Sequence, residues 1–167
     1  MRRRLLAVLG AALLASTMGC SGGSSGAATS SSSTLDATFS DFDGVAASFV
    51  DYRGTPVVVN FFASTCIPCQ TEMPAFEAVH RDLGDAVRFV GINVGDTVAA
   101  GRSFVEAVKV TWAIGRDPDA AIAAEVGSTG LPTTVLLDRS GHIVFRHLGA
   151  LSVDELRSQL RAHQLIS

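Results

Sequence analysis

The chain has 167 residues, which is enough for one domain with a hydrophobic core and too few for two domains of ordinary size. Its 13 basic and 16 acidic residues give a net charge of -3, so it lacks the basic excess that is typical of nucleic-acid-binding proteins. We therefore expect a single domain that does not bind nucleic acid.

The N-terminal segment predicts an export signal. Three arginines at positions 2–4 form a basic region, and the apolar run "LLAVLGAALLA" at 5–15 follows it. This run is shorter than the roughly 20 apolar residues that a membrane-spanning helix needs. We interpret residues 1–19 as a cleaved signal peptide, and an uncleaved membrane anchor is the alternative.

Cys20 resembles the lipidated cysteine of bacterial lipoproteins. It follows Gly19 in "STMGC", although the lipoprotein motif prefers Leu where Thr17 stands here. Residues 20–38 are rich in Ser, Gly, Ala and Thr, a composition that is typical of a flexible linker. We expect lipidation at Cys20, which would tether a domain of residues 39–167 to the extracytoplasmic face of the bacterial cell membrane. Cleavage and release as a secreted protein is the alternative.

Two cysteines remain for the folded domain, Cys66 and Cys69. Without residues 1–19 the mature chain has 10 basic and 16 acidic residues, a net charge of -6. Disulfides persist in exported proteins, so a pair at this spacing is either oxidised or deliberately kept reduced.

The domain reads as an α/β sequence. The run "PVVVNFF" is apolar and β-branched, which indicates a strand buried on both faces and therefore central in its sheet. In chain order the patterns predict a leading strand or hairpin at 42–50, a strand at 56–62, a helix at 67–83, a strand at 86–94, a helix at 97–110, a connection at 113–119, a short helix at 120–126, two hairpin strands at 132–138 and 142–148, and a terminal helix at 152–163.

Two pairs of side chains support the helices. Glu77 and Arg81 are four residues apart, and we expect them to pair on the exposed side of the first helix. Ser152 and Glu155 fit a capping box at the start of the terminal helix.

Cys66 falls where the central strand gives way to a helix. The carboxyl ends of parallel strands are where open α/β sheets carry their sites. Free backbone N–H groups and the helix dipole favour the thiolate form of Cys66, which is the attacking species. Cys69 lies one turn further and can attack a mixed disulfide, and Pro68 lies in the first turn, where a missing N–H costs little.

Two separate blocks resemble the TlpA/ResA-like extracytoplasmic thiol-disulfide oxidoreductases of the thioredoxin superfamily. The first is "VVVNFFASTCIPCQTEMP" and the second is "GLPTTVLLDRSGHIVF". The resemblance covers about residues 40 to 165 of the sequence. It implies a thioredoxin fold, with a mixed central sheet flanked by helices and a βαβ unit followed by a helix, a β-hairpin and a terminal helix.

The resemblance also implies roles for particular residues. Cys66 and Cys69 match the family's redox pair, as nucleophile and resolving cysteine. Pro132 matches the family's cis proline, and the backbone of Leu131 would pair with a substrate. Glu72 matches an acid that handles protons during exchange, and a carboxyl shielded from water has a raised pKa that suits this role.

Other matched positions define the surroundings of the pair. Asn60 stands where cytoplasmic thioredoxins have a buried aspartate, which leaves Glu72 as the local proton carrier. Thr65 stands where the family has a tryptophan, so the approach to the nucleophile is smaller and more polar. Together with Leu131, Thr65 and the dipeptide Ile67–Pro68 are the expected substrate-binding residues.

The implied function is a membrane-tethered reductase of exported thiol proteins, apocytochrome c being one candidate. It would receive electrons from a membrane thiol donor and need no cofactor beyond the disulfide. A disulfide-forming oxidase of the same fold is the alternative.

A metal site and a structural disulfide are the other interpretations of the cysteine pair. A zinc site needs about four ligands, and the sequence offers no second Cys pair or paired histidines, since His142 and His147 are expected on opposite faces of a strand. A copper-binding protein without redox catalysis is the remaining metal alternative. A structural disulfide across so short a loop would add little stability.

Overall fold

The computed structural model describes residues 33–167. In this range the chain forms a seven-stranded sheet and four α-helices. The strands are β1 (Thr38–Ser40), β2 (Ala46–Ser48), β3 (Val57–Phe62), β4 (Arg88–Val94), β5 (Ala113–Asp117), β6 (Thr133–Leu137) and β7 (Ile143–Leu148). The helices are α1 (Ile67–Leu83), α2 (Val98–Val108), α3 (Ala121–Glu125) and α4 (Val153–Ala162). Short 3-10 turns at Phe49–Tyr52 and Gly84–Ala86 complete the regular structure.

The sheet is mixed, with the strand order β2-β1-β5-β4-β3-β6-β7. Strand β3 runs parallel to β4 and antiparallel to β6, and β4 runs parallel to β5. All six residues of β3 are buried, which confirms the central strand that "PVVVNFF" predicted. The predicted βαβ unit is β3, α1 and β4.

Both faces of the sheet are covered. In β3, Val58 and Phe62 pack toward a core shared with α1, α2 and α4. Val59 and Phe61 point to the opposite face, where α3 and the N-terminal segment lie. This alternation is the period of two expected for a strand between two layers, and it confirms the predicted α/β architecture.

The helix ends follow local chemistry. Helix α1 has the predicted bounds, and it ends at Gly84, whose φ of 53° is accessible to glycine without strain. At the start of α4, the Ser152 hydroxyl accepts from the Glu155 N–H at 3.2 Å, and the Glu155 carboxylate accepts from the Ser152 N–H at 2.8 Å. The predicted capping box is therefore confirmed.

The connection predicted at 113–119 is wrong, because residues Ala113–Asp117 form strand β5. Gly115 and Arg116 interrupt the apolar pattern by which a buried strand is recognised. The structure gives the reason for the glycine: a Cβ at this position would overlap the ring of Phe39 on the neighbouring strand β1. The close approach of Phe39, which the local sequence does not reveal, therefore requires glycine at this position.

The predicted exposure of Glu77 is also wrong. The pair with Arg81 exists, at 2.6 Å, but Glu77 is only 6% exposed. Its carboxylate also accepts hydrogen bonds from the backbone N–H and the hydroxyl of Thr111, at 2.9 Å and 2.8 Å. The segment after α2 therefore covers a side chain that helix periodicity places at the surface.

The folded part begins before residue 39. Leu35 is fully buried, and Thr34 forms a β-bridge with His142, so residues 34–38, expected in the linker, pack on the domain. The expected signal peptide, Cys20 and the linker up to residue 32 lie outside the described residues. Within residues 33–167, no helix has the length and apolar character that crossing a membrane requires.

Candidate functional site

The Cys-x-x-Cys pair lies where β3 meets α1, as predicted. Cys66 is the N-cap residue of α1, with an extended backbone, and its sulfur accepts a hydrogen bond from the Cys69 N–H at 3.3 Å. Pro68 lies in the first helical turn, where the N–H that proline lacks has no intrahelical acceptor. The start of the helix therefore directs backbone N–H groups toward the first sulfur.

A disulfide joins Cys66 and Cys69, whose Cα atoms are 5.3 Å apart. Cys66 is 9% exposed, whereas Cys69 is fully buried. This difference confirms the expected arrangement, in which the second cysteine lies beneath the first. A disulfide-bearing partner can therefore approach the first sulfur only.

The predicted cis peptide bond is present between Leu131 and Pro132. Pro132 precedes β6, and its carbonyl accepts a hydrogen bond from the Gly149 N–H at 2.8 Å. Because Thr133 pairs with Phe61 at the end of β3, Pro132 lies at the edge of the sheet that carries the cysteines. The two blocks that carried the resemblance therefore meet at one edge of the sheet.

A rim of mostly apolar side chains, with the polar Thr65 among them, flanks this edge. Thr65 and Pro68 are exposed, Ile67 is 75% exposed, and Leu131 is half-buried. Leu148, which the sequence analysis missed, is 54% exposed and pairs with Thr133 across β6 and β7. The alternation of β7 indicated an outward side chain, but only the register of the hairpin places it beside the cis proline.

Glu72 is buried one turn after Cys69, at 3% exposure. One carboxylate oxygen accepts from the Asn60 side-chain amide at 2.8 Å, and the other accepts from the Leu151 N–H at 2.7 Å. Burial raises the pKa of Glu72, and the hydrogen bonds from Leu151 and Asn60 oppose that rise without cancelling it. The shielded carboxyl that the sequence predicted is thus present, and Leu151 is a partner that the sequence did not reveal.

A surface cavity of about 570 Å³ gives Glu72 a route to solvent. Pro68, Thr71 and Leu151 line it together with Glu72, so it runs from the cysteine turn to the loop before α4. Asn60, on β3, closes the inner side of the carboxyl and is 1% exposed. Glu72 therefore lies between the buried core and a water-accessible cavity beside the first helical turn.

Asp96 is a further residue that the sequence analysis did not single out. It lies in the loop after β4, and its carboxylate accepts from the Ser64 N–H at 2.7 Å and from the Ser64 hydroxyl at 2.8 Å. Ser64 is two residues before Cys66. A polar residue just after a parallel strand, in "GINVGD", was the available signal.

The structure offers little to a metal ion apart from the two sulfurs. Within residues 33–167, no three His, Cys, Asp or Glu side chains form a cluster that could hold a metal. His142 contacts Asp138 in the β6–β7 turn, at 3.3 Å, while His147 stacks on Phe145 in β7.

Comparison with known proteins agrees with this geometry. The model of the AhpC/TSA family matches residues 32–146. The thioredoxin-like protein YneN of Bacillus subtilis (strain 168) is 30% identical over 128 residues, covering 75% of this chain and 75% of YneN. The thiol-disulfide oxidoreductase ResA of Geobacillus thermodenitrificans (strain NG80-2) is 28% identical over 132 residues, covering 78% of this chain and 76% of ResA.

A solved structure supports the same conclusion about the fold. It is that of a secreted Mycobacterium tuberculosis disulfide oxidoreductase homologous to E. coli DsbE. It superposes with a TM-score of 0.68 at 28% identity, covering 77% of this chain and 96% of that one. The predicted thioredoxin fold is confirmed.

Proposed function

We propose that this chain carries out thiol-disulfide exchange between its Cys66–Cys69 pair and exported proteins outside the cytoplasm. The chain belongs to the AhpC/TSA family and is a thiol-disulfide oxidoreductase. One observation carries the proposal. Cys66 is partly accessible at the N-terminus of a helix, while Cys69 is fully buried one turn further along. This arrangement supports Cys66 as the nucleophile and Cys69 as the resolving cysteine.

The exchange begins from the reduced pair. The Cys66 thiolate, stabilised by the N–H groups at the start of α1, attacks one sulfur of a substrate disulfide and releases the other as a thiolate, which takes up a proton. Cys69 then loses its proton and attacks Cys66, which releases the second substrate thiolate. The substrate disulfide gains two electrons and two protons, and the dithiol of this chain becomes a disulfide.

Glu72 handles the protons of this exchange. Its carboxyl lies one turn after Cys69 and lines the cavity beside Pro68. Because burial raises the pKa of Glu72, the carboxyl is brought nearer to the range in which it can accept and return a proton close to neutral pH. We assign it to deprotonation of Cys69 and to protonation of the departing thiolates.

The mostly apolar rim holds the substrate. Thr65, Ile67 and Pro68 are exposed and neighbour Cys66 in the chain. Leu131 precedes the cis proline, and Leu148 pairs with the residue after it. The backbone of Leu131, next to Pro132, would pair with an extended substrate segment in the manner of an added strand.

We propose that electrons flow from this chain to its substrates. A membrane thiol donor would restore the dithiol, and the substrates would be exported proteins that must stay reduced, with apocytochrome c as one candidate. The resemblance to the TlpA/ResA-like proteins supports this direction. Formation of disulfides by the same site is the alternative, and it requires only that the pair be reoxidised by another partner.

The N-terminal sequence supports the location. The basic and apolar signal pattern of residues 1–19, the cysteine at position 20 and the Ser/Gly-rich segment after it fit an exported, lipid-anchored domain. The M. tuberculosis relative is described as secreted. Globomycin, which blocks lipoprotein signal cleavage, tests the anchor: accumulation of uncleaved chain is expected, and unchanged processing would favour release.

The direction is tested by the reduction potential of the pair and by its state in cells, trapped with an alkylating agent. A reductase is expected to have a potential near that of thioredoxin, about -270 mV, and to be found mainly reduced. A pair found mainly oxidised, with a potential near the roughly -120 mV of a strong oxidant, would reverse the direction.

The chemistry itself is tested by insulin reduction. Cys66→Ser is expected to abolish activity, and Cys69→Ser to accumulate a mixed disulfide that reducing agent releases, because only the first sulfur meets the substrate. Wild-type activity in Cys66→Ser would contradict the proposal. A copper titration of the reduced protein accompanies it, since tight copper binding without insulin reduction would indicate the metal-binding alternative.

A further inference from the structure

Two loops at the carboxyl ends of adjacent parallel strands are tied together by one carboxylate. The first loop, after β3, leads through Ser64 to Cys66. The second, after β4, carries Asp96, whose two carboxylate oxygens accept from the Ser64 N–H at 2.7 Å and from the Ser64 hydroxyl at 2.8 Å. This is a two-point contact, which fixes orientation as well as distance.

The contact acts on the turn that carries the nucleophile. The Cys66 N–H donates to the Ala63 carbonyl at 3.0 Å, so residues 63–66 form a tight turn with Ser64 as its second residue. Because Asp96 accepts from the Ser64 N–H, the peptide plane between Ala63 and Ser64 is held in one orientation. The conformation of residues 63–66 then determines where the Cys66 sulfur lies relative to the first N–H groups of α1.

Asp96 is itself held by rigid elements. Its carboxylate also accepts from the side-chain amide of Asn93, the penultimate residue of β4, at 2.7 Å. Its carbonyl accepts from the guanidinium of Arg116 in β5 at 3.4 Å. Thr97, the next residue, caps α2 through the Ala100 N–H at 3.2 Å. Asp96 is thus held to β4 through its carboxylate, to β5 through its carbonyl, and to α2 through the neighbouring residue.

We propose that Asp96 is a positioning residue for thiol-disulfide exchange, which holds the 63–66 turn so that the Cys66 sulfur stays at the N-terminus of α1. It touches neither the sulfur nor the substrate and acts through Ser64. Loss of the contact frees the turn, and the thiolate then spends less time against the N–H donors that stabilise it.

The test measures the alkylation rate of Cys66 at pH 7 in a Cys69→Ser background, where a single reactive thiol remains in the domain. Asp96→Ala removes both charge-assisted hydrogen bonds to Ser64 and is expected to slow alkylation about tenfold. Asp96→Asn can still accept from the Ser64 N–H and donate to the Ser64 hydroxyl, so it is expected to restore most of the rate.

Asp117→Ala is the matched control. Asp117 ends the neighbouring strand β5, and its carboxylate accepts from the Ala123 N–H at 2.8 Å and makes no hydrogen bond to residues 63–66. This variant is expected to lower the thermal midpoint of unfolding and to leave the alkylation rate unchanged. A normal or faster rate in Asp96→Ala, or equal slowing in Asp117→Ala, would overturn the proposal, because the effect would then be absent or a general consequence of lower stability.

Discussion

Helix α1 buries two carboxyl groups, Glu72 and Glu77, whose surroundings shift their pKa values in opposite directions. Glu72 is 3% exposed and Glu77 is 6% exposed. Burial is the largest influence on both and by itself would raise either pKa. Yet the pKa of Glu72 is raised, whereas hydrogen bonds from Thr111 and Arg81 hold the pKa of Glu77 below its ordinary value.

The donors explain the difference. Glu77 accepts from the Thr111 N–H, the Thr111 hydroxyl and the charged Arg81. Glu72 accepts from the Asn60 amide and the Leu151 N–H, which are both uncharged. Three donors, one of them a cation, favour the ionised form of Glu77, so this carboxylate joins two segments of the chain. With only two neutral donors, the pKa of Glu72 stays raised, as the proposed proton role requires.

The largest expected effect tests whether the hydrogen bonds of Glu77 stabilise the fold. Glu77→Ala leaves the Thr111 donors without a protein partner and is expected to lower the free energy of unfolding by about 2–3 kcal/mol. Urea unfolding measures this, and insulin reduction per folded molecule should stay normal.

The matched control for that change is Arg81→Ala. Because the Arg81 side chain is 66% exposed, its loss should cost less than about 1 kcal/mol. An equal loss in both variants would mean that the ion pair, and not the buried donors of Thr111, accounts for the stabilisation.

The next effect tests the proposed role of Glu72 in proton transfer. Glu72→Gln keeps the shape of the side chain but cannot take up a proton, so insulin reduction at pH 7 is expected to slow by about tenfold or more. The fold should tolerate the change, because the Asn60 oxygen has no hydrogen-bond partner within residues 33–167 and a reversed amide could accept from the new glutamine. Glu77→Gln, in the same helix, should keep the normal rate. A normal rate in Glu72→Gln would remove the proton role.

The smallest effect is a difference between Glu72 and Glu77 in how their contributions to the free energy of unfolding depend on pH. Glu77 has a folded pKa below its unfolded value of 4.5, so the stability it adds is present above that pH and is lost as the pH falls through the folded pKa. Glu72 has a folded pKa above 4.5, so its contribution is most favourable below pH 4.5 and declines as the pH rises through the folded pKa.

Urea unfolding of the wild type and of the two Gln variants, over roughly pH 3 to pH 8, measures this difference. The stability of the wild type relative to Glu77→Gln should rise with pH, and its stability relative to Glu72→Gln should fall. If both stability differences rose with pH, or both fell, the two carboxyl groups would not have opposite pKa shifts.

Much of the site could be predicted from the sequence. A strand buried on both faces, followed directly by Cys66 and a helix with Pro68 in its first turn, defines the position of the nucleophile through local patterns. The second block added Pro132 through its resemblance to known proteins, because an X-Pro bond alone gives no indication of its isomer. These features depend on residues that are close in sequence or on a recognisable motif.

The residues that were missed depend on distant contacts. Asp96 reaches Ser64 across 32 positions, and the Leu151 N–H reaches Glu72 across 79. The sequence of β5 resembles a connection because Gly115, which makes room for Phe39, interrupts its apolar pattern. Helix periodicity puts Glu77 at the surface because Thr111 covers it only in the folded chain. No local period or motif reports such contacts.

The sequence by itself determined most of the elements, though not β5, together with the central strand and the position of the redox pair, because periodicity and helix capping act over a few neighbouring residues. Only the tertiary structure decided which carboxyl of α1 meets a cation and which meets neutral donors. The pKa of a buried group depends on the atoms within a few ångströms of it, and most of those atoms are supplied by parts of the chain that lie far away in sequence.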